Sequence, residues 1–108
     1  MNKEIIIKKS ETYSEIISKK QAVKNKYFSI YYDKTDKKNK YGVTVPKKIG
    51  KANVRNKQKR QIKNIIRTNE KNIQIGFNYV IIIKEASLEL SYYDKEKELL
   101  DLLKKVRI

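Results

Sequence analysis

The segment Lys47–Arg67, KKIGKANVRNKQKRQIKNIIR, concentrates the features from which the rest of the chain can be interpreted. It contains nine cationic residues and no acidic residue, whereas residues 72–108 balance six basic residues against six acidic ones. The nine cations are Lys47, Lys48, Lys51, Arg55, Lys57, Lys59, Arg60, Lys63 and Arg67. The excess positive charge of the chain is therefore focused on one segment.

A helix over Ala52–Arg67 would be amphipathic. Because successive residues are about 100° apart around a helix axis, the apolar residues of this stretch gather on one side. They are Val54, Ile62, Ile65 and Ile66. The opposite side is polar and consists of Asn56, Lys59, Arg60, Lys63 and Arg67, with Arg55 at the border. We therefore expect one face of this helix in a core and the other against a polyanion.

The placement of these cations does not serve helix stability. A helix dipole disfavours positive charge at the N-terminus, where Lys47, Lys48, Lys51 and Arg55 crowd together. Like charges four residues apart, such as Arg55 and Lys59, destabilise a helix by about 0.2 to 0.5 kcal/mol per pair. A solvated charged face is the usual explanation of a charge run, but only an anionic partner would remove these penalties.

Composition narrows the classes of partner and of chemistry. The net charge of +15, from 27 Lys and Arg against 12 Asp and Glu, points to nucleic acid, an anionic membrane or another polyanion. Of the 27 cations 23 are Lys, as an AT-rich genome would give, but codon bias does not explain their clustering. The absence of Cys and His excludes disulfides, thiolate or histidine metal sites and most nucleophile and base pairs of protein catalysis. We therefore predict no catalytic residue and no metal site.

No stretch of the sequence is long and apolar enough to cross a membrane. The apolar run near the N-terminus is only Ile5–Ile7, and spanning a bilayer takes about 20 apolar residues. Because the apolar side of the basic helix is committed to a core, nucleic acid is favoured over a membrane surface as the partner. We expect a cytoplasmic protein without membrane contact, folded as a single domain over residues 1–108.

Alternating and continuous apolar patterns predict the strands. Alternation predicts a strand over Tyr27–Tyr32 and another over Tyr41–Val45, with Lys34–Lys40 as a hairpin loop between them. Residues Asn78–Lys84 contain the unbroken β-branched run Val80–Ile83. Such a run predicts a central strand that is buried on both faces.

Helices are predicted on either side of these strands. The first runs from Glu11 to about Lys19 after Ser10, a suitable N-cap, and the last follows Ser91, whose spacing to Asp94 resembles a capping box. The order is helix, strand, strand, basic helix, strand, helix, with room for a brief extra strand near residues 21–24. This order predicts an α+β fold, a small α/β sandwich with a three-stranded or four-stranded sheet and about three helices.

Residues Gly42–Lys63, GVTVPKKIGKANVRNKQKRQIK, resemble the signature of the bacterial ribonuclease P protein subunit. That signature has a strand ending in SKK, a Gly-Lys-Ala turn, and then RNR and KR on a helix. The positions that match in order and spacing are Lys47, Lys48, Gly50, Lys51, Ala52, Arg55, Asn56, Lys59 and Arg60. A weaker similarity extends over nearly the whole chain, from the aromatic Tyr13 to the Leu90-Ser91-Tyr92 start of the last helix.

The sequence departs from this signature at four positions. Pro46 replaces the usual Ser, Asn53 replaces an apolar residue, and Asn78 stands where the family usually has Asp before its last strand. Lys57 replaces the second Arg of RNR, which keeps the charge but loses the bidentate fork. We expect a looser contact with RNA at Lys57.

The resemblance carries implications for fold and function. It implies the rare left-handed βαβ crossover between Val45 and Tyr79, where the general rule gives a right-handed one in about 98% of cases. It implies the protein subunit of ribonuclease P, the endonuclease that removes the 5′ leader from precursor tRNA with catalysis by its RNA subunit. The isolated protein is therefore not expected to be catalytic. The implied partners are the catalytic ribonuclease P RNA and precursor tRNA, without a protein partner. Mg²⁺ is expected with the RNA subunit rather than on the protein alone.

The resemblance also implies two binding surfaces. The surface for the catalytic RNA consists of Lys47, Lys48, Lys51, Arg55, Asn56, Lys57, Lys59, Arg60, Lys63 and Arg67. A cleft between the first helix and the sheet would hold the leader, lined by Tyr13, Ile17 and Tyr31 with Lys8 and Lys9. Apolar residues at helical or strand spacing usually pack inward, so a packing role for Tyr13, Ile17 and Tyr31 stays open.

A second hypothesis has the same helix in a structural RNA-binding module, for example a ribosome-associated protein, without a role in tRNA processing. Reconstitution with a ribonuclease P RNA would separate the two. A membrane-surface protein is a third hypothesis, and liposome binding would test it.

Overall fold

The most apolar strand of the chain lies inside a four-stranded sheet. The structure is a computed structural model that describes residues 21–106. Its strands are β1 Ala22–Lys24, β2 Phe28–Lys34, β3 Tyr41–Thr44 and β4 Phe77–Ile83. They are ordered β1-β2-β4-β3, with β1–β2 and β2–β4 antiparallel and β3–β4 parallel. The sheet is therefore mixed, and the brief strand suspected near residues 21–24 is present.

Strand β4 is covered on both faces, as its β-branched run predicts. Its odd-numbered residues, from Phe77 to Ile83, enter the main hydrophobic core. On the opposite face Val80 is fully buried and packs with Tyr31 and Ile82, which are partly buried. The sheet therefore has a core face and a second face with a small apolar cluster of its own.

The predicted hairpin between the second and third strands is wrong. Strand β4 lies between β2 and β3, because only its run of β-branched residues can fill a position buried on both faces. The connection Lys34–Lys40 instead passes the beginning of β4. Asn39 fixes this passage, since its Oδ1 accepts hydrogen bonds from the N–H groups of Gly76 at 2.9 Å and Phe77 at 3.1 Å. Gly76 adopts a φ of 100°, a left-handed conformation that favours glycine.

Two helices pack on the core face of the sheet. They are α1, Ala52–Thr68, and α2, Tyr92–Leu103, and they confirm the predicted basic helix and the predicted last helix. Ser91 caps α2 as predicted, because its Oγ accepts a hydrogen bond from the N–H of Asp94 at 3.1 Å. The predicted first helix, residues 11–19, lies outside the described residues.

The core is built from the apolar sides of these elements. The buried residues of the helices are mainly Ile62, Ile65 and Ile66 from α1 and Leu99, Leu102 and Leu103 from α2. Tyr41 and Tyr79 stack in parallel beneath them on adjacent strands, with ring centroids 5.5 Å apart. Val54, expected on the apolar side of α1, is only half-buried.

Helix α1 connects two parallel neighbouring strands, β3 and β4, which is the βαβ arrangement expected from the sequence. The α+β architecture with a four-stranded sheet is confirmed. The left-handedness of the crossover and the single domain over residues 1–108 stay predictions.

Candidate nucleic-acid interface

The predicted RNA-binding residues all lie at the surface of the protein. None of the ten is buried. The exposed ones are Lys47, Lys48, Lys51, Asn56, Lys57, Arg60 and Arg67, and the half-buried ones are Arg55, Lys59 and Lys63. All ten lie between Lys47 and Arg67, on one short 3₁₀ helix and the basic helix that follows it, N-cap included, and we call the surface that they form the basic face.

The basic face is displayed outward because its supporting side chains are anchored. Ile62, Ile65 and Ile66 are at most 1% exposed and fix the rotation of α1 on the sheet. The short 3₁₀ helix Lys47–Ile49 precedes α1 and buries Ile49, which holds its two lysines at the surface. Apolar packing thus sets the orientation of charges that take no part in the core.

The start of α1 lacks the side-chain interactions that usually stabilise the N-terminus of a helix. Lys51 occupies the N-cap without any side-chain hydrogen bond, and the first turn contains no acidic residue. A Ser, Thr, Asp or Asn at an N-cap typically stabilises a helix by about 1 kcal/mol relative to a residue that cannot cap. Within residues 21–106 the Nε of Arg55 is enclosed without a hydrogen-bond acceptor. These features fit a surface selected for an anionic partner rather than for the helix itself.

A buried cation on α2 was missed by sequence reasoning. Lys95 is only 4% exposed, and its Nζ donates hydrogen bonds to Oε1 of Gln58 and Oε1 of Gln61, both at 2.7 Å. The sequence carried one signal, because Lys95 precedes Leu99 by four residues and Leu102 by seven, which places it on the apolar stripe of α2.

Further polar contacts hold α1 against α2. Asn64 donates from Nδ2 to the Tyr92 hydroxyl at 2.6 Å, and Asn69 donates from Nδ2 to Oε2 of Glu96 at 3.0 Å. Arg67 in turn donates from Nη2 to Oδ1 of Asn64 at 2.6 Å. The flank of α1 that faces α2 is therefore polar and ordered, beside its apolar and basic sides.

The burial of Lys95 should make the folded protein more stable as the pH rises towards 10. Burial, and then the positive charge of Lys57, lowers the pKa of Lys95 from its ordinary 10.5. Between the lowered pKa of Lys95 in the folded protein and its ordinary 10.5 in the unfolded chain, the unfolded chain binds more protons than the folded one. Raising the pH in this range therefore favours folding. Burial raises the pKa of Tyr41 and of Tyr79, which destabilises the fold only above their ordinary value of 10.0.

Urea unfolding from about pH 7 to about pH 10 checks this prediction. The wild-type protein should gain stability as the pH rises, and the gain should be smaller in Lys95→Met. An identical pH slope in both proteins would contradict the assignment of this effect to Lys95.

The second face of the sheet presents Tyr31. As predicted, Tyr31 points away from Phe28, Ile30 and Tyr32, which belong to the main core. It is half-buried against Val80, and Nζ of Lys24 lies 5.3 Å from its ring centroid, a cation–π contact that sequence reasoning did not identify. The other predicted leader residues, Lys8, Lys9, Tyr13 and Ile17, lie outside the described residues.

Residues 21–106 contain no group of three or more His, Cys, Asp or Glu side chains placed to hold a metal ion. In the same part of the chain, no helix has the length and hydropathy needed to cross a membrane.

Comparison with known proteins assigns the chain to a family. A family model described as Ribonuclease P matches residues 1–107. The chain belongs to the ribonuclease P protein family. It is 41% identical over 109 residues to the ribonuclease P protein component of Mycoplasma mycoides, covering 99% of this chain and 100% of that one. It is 37% identical over 109 residues to the same component of Streptococcus gordonii, covering 100% of this chain and 91% of the relative.

Solved structures of ribonuclease P proteins share the fold. The ribonuclease P protein of Thermotoga maritima aligns with a TM-score of 0.88 at 27% identity, covering 94% of this chain and 97% of that one. Membership makes the chain a protein component of the ribonuclease P holoenzyme, which works with an RNA subunit in tRNA processing. The comparisons give no support to the alternative of a ribosome-associated module.

Proposed function

We propose that this ribonuclease P protein component binds the catalytic RNA through its basic face and the 5′ leader of precursor tRNA through the second face of its sheet. The observation that carries the proposal is the basic face itself. A 17-residue helix without an acidic residue turns its cations outward while its isoleucines are anchored in the core. Such a surface is suited to the phosphate backbone of RNA.

Each group in the basic face has a chemical role in this proposal. The lysines act as mobile point charges that neutralise phosphates, and the arginines can hold a phosphate with two parallel hydrogen bonds. Asn56 can donate to a phosphate or to a base edge. The protein supplies no group for strand cleavage in this scheme. Mg²⁺ would be held by the RNA subunit and by substrate phosphates.

The leader site is proposed on the opposite side of the sheet from α1. The exposed part of the Tyr31 ring would stack on an unpaired base, and such stacking is worth about 1 to 3 kcal/mol. Lys24, held near the Tyr31 ring, would add positive charge beside the stacked base. From the family resemblance we also propose Lys8, Lys9, Tyr13 and Ile17 for this site. Two nucleic acids could then bind at once, because the two surfaces do not overlap.

The cytoplasm is the proposed location, since precursor tRNA is made there in bacteria. A protein of net charge +15 would meet abundant RNA in that compartment.

Reconstitution tests the proposed function. Precursor tRNA is incubated with ribonuclease P RNA alone, with the RNA plus protein, and with rigorously RNA-free protein, at a Mg²⁺ concentration that limits the RNA alone. We expect the protein to accelerate leader removal, because its cations replace part of the counterion requirement of the RNA. We expect no cleavage by the protein alone, since its basic face contains no acid and base pair.

Two outcomes would contradict the proposal. Specific leader cleavage by RNA-free protein would move the chemistry to the protein. Folded protein that neither binds ribonuclease P RNA nor changes its cleavage rate would remove the proposed role.

A further inference from the structure

Within residues 21–106, no carboxylate pairs with the buried Lys95, and a buried lysine without such a partner is costly. Its ammonium group has two hydrogen-bond acceptors, the side-chain oxygens of Gln58 and Gln61, and both are neutral. A second cation, Lys57, also acts on this ammonium group and lowers its pKa further. A glutamate in place of either glutamine would give the Lys95 ammonium a carboxylate partner. Fold stability alone therefore does not explain why the neighbours of Lys95 are two neutral amides and a second cation.

The chemistry of the ammonium group fixes the direction of the glutamine side chains. An ammonium only donates hydrogen bonds, so it takes the amide oxygen of each glutamine and turns the NH₂ group away from itself. Gln58 is 6% exposed and acts as a buried support, whereas Gln61 is half-buried. Within residues 21–106 the amide nitrogen of Gln61 has no hydrogen-bond partner, and it is not among the enclosed atoms. Gln61 thus presents two fixed donors at the surface.

These donors lie on the same flank of α1 as the ammonium of Lys57. Positions 57, 61 and 64 are three or four residues apart, so their side chains form one row along the helix. Asn64 is held in this row by Tyr92. The row contains hydrogen-bond donors and positive charge but no acidic side chain. An anion that approaches it meets a mobile cation, two oriented N–H groups and, behind them, the buried charge of Lys95.

We infer that Gln61 joins Lys57, which lies at the edge of the basic face, in a second phosphate site for RNA on the flank of α1 that faces α2, and that Lys95 positions Gln61 from beneath. The inference rests on the proposed function and extends the RNA contact of α1 from its basic face around to this flank. Lys95 is a positioning residue, because it touches Gln61 rather than the phosphate. A phosphate bound here would compensate the buried charge that the fold leaves unpaired.

Gln61→Glu provides the sharpest test, because the inference predicts opposite effects on stability and on binding. The new carboxylate would pair with Lys95, so the melting temperature should rise. The same change removes two donors and places a negative charge in the phosphate site, so affinity for ribonuclease P RNA should fall at least tenfold. The matched control is Asn72→Asp, an exposed position past the end of α1 with the same change of net charge. It should change affinity less than about threefold, by long-range electrostatics alone.

A double-mutant cycle tests whether Lys57 and Gln61 share one phosphate, and Lys95→Met tests the positioning role of Lys95. Lys57→Ala should weaken binding of ribonuclease P RNA and lower the slope of log K against log salt by about 0.7 to 0.9. Combining it with Gln61→Leu should cost less than the sum of the two single changes, since the two groups share one phosphate. Lys95→Met should reproduce the effect of Gln61→Leu on affinity, whereas Lys97→Met, exposed on the same helix, should not. If Lys95→Met does not fold, the cycle between Lys57 and Gln61 decides.

The inference fails if folded Gln61→Glu binds RNA as well as Asn72→Asp does, or if the two single changes add without coupling. A variant with Arg55, Lys59 and Arg60 changed to alanine is run in parallel. If that variant loses affinity while Lys57→Ala and Gln61→Glu retain it, the second site is absent and the proposed function stands. If all of them bind like the wild type, the proposed function fails as well.

Discussion

Replacing Arg55, Lys59 and Arg60 together by alanine should lower the affinity for ribonuclease P RNA about 100-fold and leave the protein folded. Three charged contacts worth about 1 kcal/mol each give a loss of this size. The slope of log K against log salt should fall by about 2 to 3, since each lost phosphate contact removes about 0.7 to 0.9. Screening at high salt should therefore bring the wild type and the variant together.

The fold should tolerate this triple change. The apolar anchors of α1 are untouched, and the change relieves repulsion between Arg55 and Lys59 and between Lys59 and Lys63. It also removes the Nε of Arg55, which is enclosed without a hydrogen-bond acceptor in the described part of the chain. The stem of half-buried Arg55 contributes some packing, so we expect a melting temperature equal to or slightly above that of the wild type.

A matched control separates local contact from total charge. Lys97, Lys104 and Lys105 are exposed on or just after α2, and changing all three to alanine removes the same net charge. This control should lose far less affinity and keep most of the salt slope. Circular dichroism and a salt titration of both variants suffice. Equal affinity of the two folded variants would contradict the assignment of the basic face.

Substitution of Tyr31 should affect substrate preference more than assembly with the RNA subunit. If its ring stacks on one leader base, Tyr31→Ala should weaken precursor tRNA binding by about 1 to 3 kcal/mol and leave mature tRNA binding nearly unchanged. The position on the second face of the sheet, away from α1, is the reason to expect separate effects. The measurement compares affinities for precursor and mature tRNA in holoenzymes made with each protein.

The packing of Tyr31 requires a second variant. Its ring covers part of Val80, which is fully buried, so alanine would also expose apolar surface and lower stability. Tyr31→Leu keeps an apolar cover over Val80 but removes the aromatic face. We expect Tyr31→Leu to melt close to the wild type and still to lose the preference for precursor tRNA. A stable Tyr31→Leu holoenzyme with undiminished preference would leave Tyr31 only a packing role.

Much of this fold follows from local patterns in the sequence. The helical spacing of Ile62, Ile65 and Ile66 predicts α1 and the side of α1 that packs into the core. The run Val80–Ile83 likewise specifies a strand buried on both faces, and Ser91 specifies a helix start. These patterns involve only residues that are close in the chain, so they can be recognised without the tertiary structure.

The order of the strands could not be obtained in the same way. The polar connection Lys34–Lys40 is compatible with a hairpin, and only the insertion of β4 between β2 and β3 excludes one. Lys95 was missed for a related reason. Its spacing to Leu99 and Leu102 was a local signal for burial, but the two glutamines that accept its hydrogen bonds belong to another helix, and no local pattern predicts them. In the site, charge clustering located the basic face, whereas the polar flank of α1 that faces α2 depends on how the two helices pack.

Directed cleavage of RNA from tethered probes tests the central claim, that α1 faces the catalytic RNA while the second face of the sheet faces the leader. The chain contains no cysteine, so a single introduced thiol carries a hydroxyl-radical source without further changes. Suitable positions are Asn53→Cys, exposed on α1, and Thr44→Cys, half-buried opposite Ile82 on the second face. In a holoenzyme with bound precursor tRNA, we predict cuts in ribonuclease P RNA from position 53 and cuts in the 5′ leader from position 44. Leader cuts from position 53 without cuts in the catalytic RNA, or the reverse pattern from position 44, would contradict this account.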